Sequence, residues 1–141
     1  MNEHRNQSIL RTLLRVAALA LLALVFVGCS PGGDSPQDLV RSFVSNINSR
    51  SYGSIQSLLD SGATSYSTAN TSAYWTTYFK TDDEPYGVAG LSGDGPVTAT
   101  VSTGSGNRTI TFTFSGSEGN LFNDSDYKIR TIEEGNTPIF N

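Results

Sequence analysis

Between Arg15 and Ser30 the chain carries its most constraining stretch, VAALALLALVFVGC, residues 16 to 29. Val16 to Val27 are twelve consecutive apolar residues with no charge. A helix of that length rises about 18 Å, well short of the roughly 30 Å hydrocarbon core of a bilayer. Leu13 and Leu14 do not lengthen the run, because Arg15 interrupts it. Ahead of it stand His4, Arg5, Arg11 and Arg15, with Glu3 the only acid. A basic flank followed by a short apolar run is the pattern of an export signal rather than of a membrane span. Two alternatives stay open: an uncleaved single-span anchor, and an ordinary signal peptide cut elsewhere.

The run closes on Phe26-Val27-Gly28-Cys29. This ending resembles the lipobox of bacterial lipoproteins, in which small residues precede a cysteine that is acylated and becomes the first mature residue. Cys29 is the only cysteine of the chain, and a lone cysteine in an exported protein is paired with another chain, free or modified. The resemblance implies modification: Cys29 as the lipid-attachment residue, palmitate among its acyl chains, and the membrane as a partner through that lipid. Two or more acyl chains give stable anchoring, each buried CH₂ contributing about 0.8 kcal/mol. Ser30, which is not Asp, implies sorting to the outer membrane where the source has one. The expected organisation is a signal peptide over 1–28, helical in its apolar part, a lipidated Cys and tether over 29–35, and a single domain over 36–141. Its location is the cell envelope, on the extracytoplasmic side of a membrane.

Cleavage before Cys29 leaves 113 of the 141 residues, the length of one domain. Such a chain buries roughly 65% of its unfolded surface, enough for a core without staples. The signal takes three arginines and one glutamate with it, which moves the formal charge from −4 to −6. An acidic, sparsely charged domain is a poor ligand for nucleic acid or for anionic lipid headgroups. The only histidine is His4, inside the signal. Ser-His-Asp and Cys-His nucleophile systems are therefore excluded from the mature domain, as are zinc sites built on His and Cys. There is no phosphate-binding glycine loop of either common type. No cofactor and no metal are expected.

After the tether SPGGDS, whose six residues reach at most about 20 Å, the spacing predicts a helix beginning at Ser35-Pro36. Ser35 suits the N-cap, Pro36 the first turn and Asp38 the positive helix end. Leu39, Val40, Phe43, Val44 and Ile47 form one apolar stripe, and the helix is expected to stop near Asn48–Arg50. Tyr52–Asp60 reads as a second short helix, with Tyr52, Ile55, Leu58 and Leu59 on one face. Residues 63–71 show no pattern. Ser72–Phe79 pairs Tyr74 with Tyr78 and Trp75 with Phe79 at helical spacing, yet is also rich in strand-forming residues; a short helix is favoured. Asp82-Asp83-Glu84-Pro85 reads as a solvated turn rather than a calcium loop.

From Tyr86 the period becomes two. Tyr86–Leu91 is a weak strand. Val97, Ala99 and Val101 alternate with Thr98, Thr100 and Ser102, and Ile110, Phe112 and Phe114 with Thr109, Thr111 and Thr113. These are half-buried antiparallel strands with a threonine face toward water or a cavity. Glycine-rich hairpin loops join them over 103–107 and 115–120. Tyr127, Ile129 and Thr131 alternate with Lys128, Arg130 and Ile132 in the last strong strand, and Thr137–Asn141 adds an edge or frays. Helices first and a meander of strands after them argue for an α+β domain with helices on one face of an antiparallel sheet.

The opening SPQDLVRSFVSNINSRSYGSIQSLLD, the later hairpins and the closing DYKIRTIEEG resemble small envelope lipoproteins of the nuclear-transport-factor-two-like (cystatin-like) superfamily. The resemblance covers most of residues 35–134 and implies N-terminal helices packed on a curved sheet, a cone-like fold. Many relatives of that type enclose a pocket, and some are isomerases or dehydratases. An enzyme of that kind needs an Asp base beside a tyrosine oxyanion hole, for which Tyr52, Tyr74, Tyr78 and Asp60 or Asp94 are the available residues. Equally, the tyrosines serve as core and rim packing, Asp60 ends a helix and Asp94 sits in a Gly-Asp-Gly-Pro turn. Tyr52, Trp75 and Tyr78 are the candidate ligand-binding residues, with Trp75 also suited to be the main packing element of the core. The leading expectation is a non-catalytic binding or interaction module on a lipid anchor. The alternatives are a small-molecule isomerase or dehydratase, and an accessory subunit or homodimer pairing through the sheet face.

Overall fold

A computed structural model describes residues 35–117 and 126–141. The apolar run, Cys29 and most of the tether lie outside the described residues, as does much of the loop expected over 115–120.

The first helix, α1, spans Pro36–Asn48. The Ser35 hydroxyl accepts from the Asp38 amide at 3.2 Å and donates to the Asp38 carboxylate at 2.6 Å, so one side chain meets an orphan N–H and orients an acid at the positive helix end. All five residues of the expected stripe are buried. The helix stops through backbone geometry. Arg50 takes a positive φ of 56°, its amide donates to Ile47 O at 3.1 Å, and the Ser51 amide donates to Asn46 O at 2.9 Å. That bond pair closes a helix around a left-handed residue, a place usually taken by glycine.

Helix α2 spans Tyr52–Leu58 and buries Ile55. Leu59 leaves it in extended conformation and forms an isolated parallel bridge with Ile129. Helix α3 spans Ser72–Tyr78. Thr71 caps it by accepting from the Tyr74 amide at 3.3 Å, which decides between helix and strand for this segment. Residues 63–71, patternless in sequence, are a run of turns. Local hydrogen bonds close these turns, the Ala69 amide donating to Ser65 O at 3.0 Å, and a distant partner ties them down: the Ser65 amide donates to Asn141 O at 2.7 Å, and Ala69 is fully buried. The acidic run forms a 3₁₀ turn over Thr81–Asp83. It is tied down more than a solvated turn would be. Asp83 O accepts from the Gly104 amide at 3.0 Å, Asp83 Oδ1 accepts from Ser105 Oγ at 2.7 Å, and Glu84 pairs with Arg50 at 3.0 Å.

Five antiparallel strands follow in a meander: β1 Gly87–Ser92, β2 Val97–Thr103, β3 Gly106–Ser115, β4 Lys128–Glu134 and β5 Thr137–Phe140, in the spatial order β1-β2-β3-β4-β5. The sheet is open. With three helices and this sheet, the described domain is α+β. Val97, Ala99, Val101, Ile110 and Phe112 are buried toward the helices, and the threonine face looks outward, Thr113 and Thr131 sharing a hydrogen bond at 2.8 Å. At the β1–β2 turn, Gly93 has φ 96° and a Cβ there would lie 2.2 Å from Pro96 O, so the turn requires glycine.

Strict alternation fails on three strands. Thr113 pairs with Thr131 but Phe114 pairs with Ile129, which makes Arg130 an extra residue in β4. Ile129 and Ile132 are both fully buried as a result, where the period-two reading put them on opposite faces. Ala89 in β1 and Ile139 in β5 are skipped in the same way. Each is a β-bulge, one residue inserted against its partner strand.

Candidate functional site

Three of the candidate residues, Tyr74, Trp75 and Tyr78, lie on α3. Trp75 is fully buried. Its ring packs on Tyr74 at 5.0 Å, Phe43 at 5.2 Å, and Phe79 and Phe140 at 6.4 Å between centroids. Its indole N–H donates to Ala69 O at 2.7 Å. The face and the polar handle a ligand would use are both occupied. Trp75 is packed in the core, enclosed by rings contributed from α1, α3 and β5.

Tyr52 and Tyr78 are half-buried. Tyr78 packs against Tyr74 at 5.6 Å, whereas Tyr52 stands at the start of α2 and shares no ring contact with Trp75 or Tyr78 among the described residues. The three candidates do not form one binding surface. The Tyr74 hydroxyl donates to Ile139 O, and burial raises its pKa. A tyrosine engaged with a backbone carbonyl is not presented to a substrate.

Of the candidate carboxylates, Asp60 is held by hydrogen bonds. Asp60 Oδ1 accepts from the Gly62 amide at 2.7 Å, and its Oδ2 meets Arg130 at 3.2 Å. Hydrogen bonding, with Ser115 the largest contributor and then the Gly62 amide, holds its pKa below the ordinary value. Its own amide donates to Ile129 O at 2.9 Å, which fastens the chain after α2 along β4. Asp94 is exposed in the β1–β2 turn. Among the described residues no polar or charged residue is buried, and no three His, Cys, Asp or Glu side chains cluster. The space between helices and sheet is filled by Phe43, Trp75, Phe112, Phe140 and their aliphatic neighbours.

Two polar devices went unread in the sequence. Arg108 has the same parity as Ile110 and Phe112, so it lies on the helix-facing side of β3. It grips Glu134 with two bonds, at 2.9 and 2.7 Å, donates to Tyr78 O at 2.8 Å, and sits 5.1 Å from the Phe79 ring centroid. The pairing holds the Glu134 carboxyl below its ordinary pKa. The parity of Arg108 was the available signal. The second device has no local signal. The Asn48 side-chain amide donates to Tyr86 O and accepts from Tyr86 N, both at 2.8 Å.

On the surface, a shallow groove of about 340 Å³ runs along α1, lined by Arg41, Ser42, Ser45 and Asn46. It is open to solvent. Comparison of the chain with protein-family models, with curated proteins and with solved structures finds no match. No helix among the described residues is long and apolar enough to cross a membrane.

Proposed function

We propose that this chain is a lipid-anchored envelope protein, held on the extracytoplasmic side of a membrane through Cys29, whose small α+β domain is a non-catalytic binding or interaction module. The observation that carries this reading is the stretch 16–29: a short apolar run behind a basic flank that ends in Val27-Gly28 and the only cysteine of the chain. Where the source has two membranes, Ser30 favours the outer one.

The domain's chemistry supports the module half of the reading. None of its described Asp, Glu, Lys or Arg side chains is buried, several are paired with one another, and its interior is packed with apolar and aromatic side chains. Catalysis by a carboxylate needs a perturbed acid or base facing a cavity. The three bulges support the finer, cone-like assignment to the cystatin-like superfamily, because a bulge bends its strand and increases the local twist.

Replacing Cys29 with Ser in the full chain tests the anchor. Wild-type protein is expected in the membrane fraction with incorporated labelled palmitate, and the variant is expected without the label and released from membranes by alkaline wash. Retention of the unlabelled variant would mean that the apolar run itself is the anchor.

A further inference from the structure

The sheet ends differently on its two sides. Beyond β4, the edge is taken up by β5 and, further along, by Leu59 and Asp60. On the other side β1 is terminal, and among the described residues nothing pairs with the outward backbone of Gly87–Ser92. Sheet edges of this kind are normally blunted with Lys, Pro or inward charges. This one reads GVAGLS, with a single bulge at Ala89 as its only such device.

The molecule shows what this edge accepts. Immediately before the strand, the Asn48 carboxamide meets both backbone groups of Tyr86 at 2.8 Å, as the peptide of a neighbouring strand would. Immediately after it, the Gln37 carboxamide reaches Gly93 O at 3.3 Å. Two amides from α1 bracket six residues that have no such partner.

We infer that the β1 edge is where a second copy of this chain adds, antiparallel, to give a two-fold dimer with one continuous ten-stranded sheet. Pairing β1 with itself sets Gly87 against Ser92, Val88 against Leu91, and Ala89 against Gly90. Val88 and Leu91 both lie on the helix-facing side, opposite Val101 and Ala99, and both are half-buried with apolar surface still showing. Self-pairing therefore matches apolar with apolar on one face and small with small on the other. A two-fold contact of this type satisfies each copy with the same patch, and main-chain bonds along an exposed edge supply the affinity. No like charges meet within the paired strands, since β1 has none. At each end the same register sets exposed Asp94 of one copy opposite Pro85 of the other, beside its Glu84–Arg50 ion pair. The edge geometry is independent of the anchor, so failure of one does not decide the other.

The intact chain, in mild detergent, is examined by sedimentation velocity beside three variants, with circular dichroism as the check on folding. Wild type is expected at the mass of two chains. Leu91→Lys, which places a charge in the paired apolar row, is expected to weaken association tenfold or more while staying folded. Ala89→Lys, at the exposed centre of the strand, sets two lysines near the two-fold axis and replaces it if Leu91→Lys does not fold. Thr109→Lys, on the exposed outer face of β3, is expected to leave the pair intact. A wild-type chain that sediments singly, alone or bound to some other protein, overturns the inference. So does a pair that survives in a folded lysine variant of β1, or that Thr109→Lys breaks equally.

Discussion

Two side chains hold positions out of proportion to their size. Trp75 joins α3 to α1 and β5 through its ring and to the turn at Ala69 through its N–H. Trp75→Ala removes that ring and leaves Ala69 O buried without its partner. A loss of about 3–5 kcal/mol is expected from the cavity, and urea unfolding followed by circular dichroism measures it. Trp75→Phe, which keeps most of the volume, is expected to cost distinctly less. Arg108 acts by geometry rather than charge alone. Its planar fork makes three bonds that an ammonium cannot reproduce. Arg108→Lys is expected to lower stability by about 1–2 kcal/mol, in the same unfolding measurement.

At the level of elements, some boundaries are local and were legible. Ser35, Pro36 and the stripe from Leu39 to Ile47 specify α1 without help from the rest of the chain. Ser35→Ala is expected to cost about 1 kcal/mol, seen as a lower urea midpoint with unchanged slope. Helix α3 was readable because Trp75 and Phe79, four apart, need one face to reach the same core. The alternation of β2 and of the middle of β3 was likewise plain. What escaped depends on partners far along the chain. The tie that fixes the turns of residues 63–71 to the sheet comes from Asn141, and the clamp on Tyr86 comes from Asn48, 38 positions away. The bulge at Arg130 escaped for a different reason. A strand's period of two is a rule for uninterrupted pairing, and nothing in Lys128–Ile132 announces an extra residue. Of the candidate binding residues, Trp75 carried its packing role in its type, since a solitary tryptophan beside helical-spaced aromatics is most often core. That Tyr52 and Tyr78 do not meet follows from how α2 and α3 are placed, which no local pattern encodes.

Across the whole domain, pH acts from both ends. The Glu134 carboxyl has its pKa lowered, chiefly by its hydrogen bond to Arg108, and Asp60 by its own hydrogen bonds. A lowered folded-state pKa means stability that is present above the ordinary carboxylate range and lost as pH falls through that range and below it. Glu134→Gln is expected to be less stable at neutral pH and to show a shallower loss in acid. The Tyr86 phenol is shifted oppositely. It is buried, donates to Lys80 O at 2.7 Å, and is pushed up to about 12 from 10.0, burial being the main cause. A raised folded-state pKa gives a contribution that is complete below pH 10 and lost as pH climbs toward 12. Tyr86→Phe is expected to flatten that alkaline limb, measured as melting temperature against pH.

The bulges have one more consequence, for how the domain breathes. β1, β4 and β5 each carry an extra residue, whereas β2 and β3 pair through seven successive positions around a two-residue turn. The central hairpin is the one part of the ladder that can open only as a unit. Amide exchange is therefore expected to be slowest at Ala99, Val101, Ile110 and Phe112 and to quicken outward in both directions, since opening free energies follow local cooperativity. Val88 and Leu91 would then be the sensitive reporters. Their amides should exchange quickly in a lone chain and slow down as the concentration of the protein is raised.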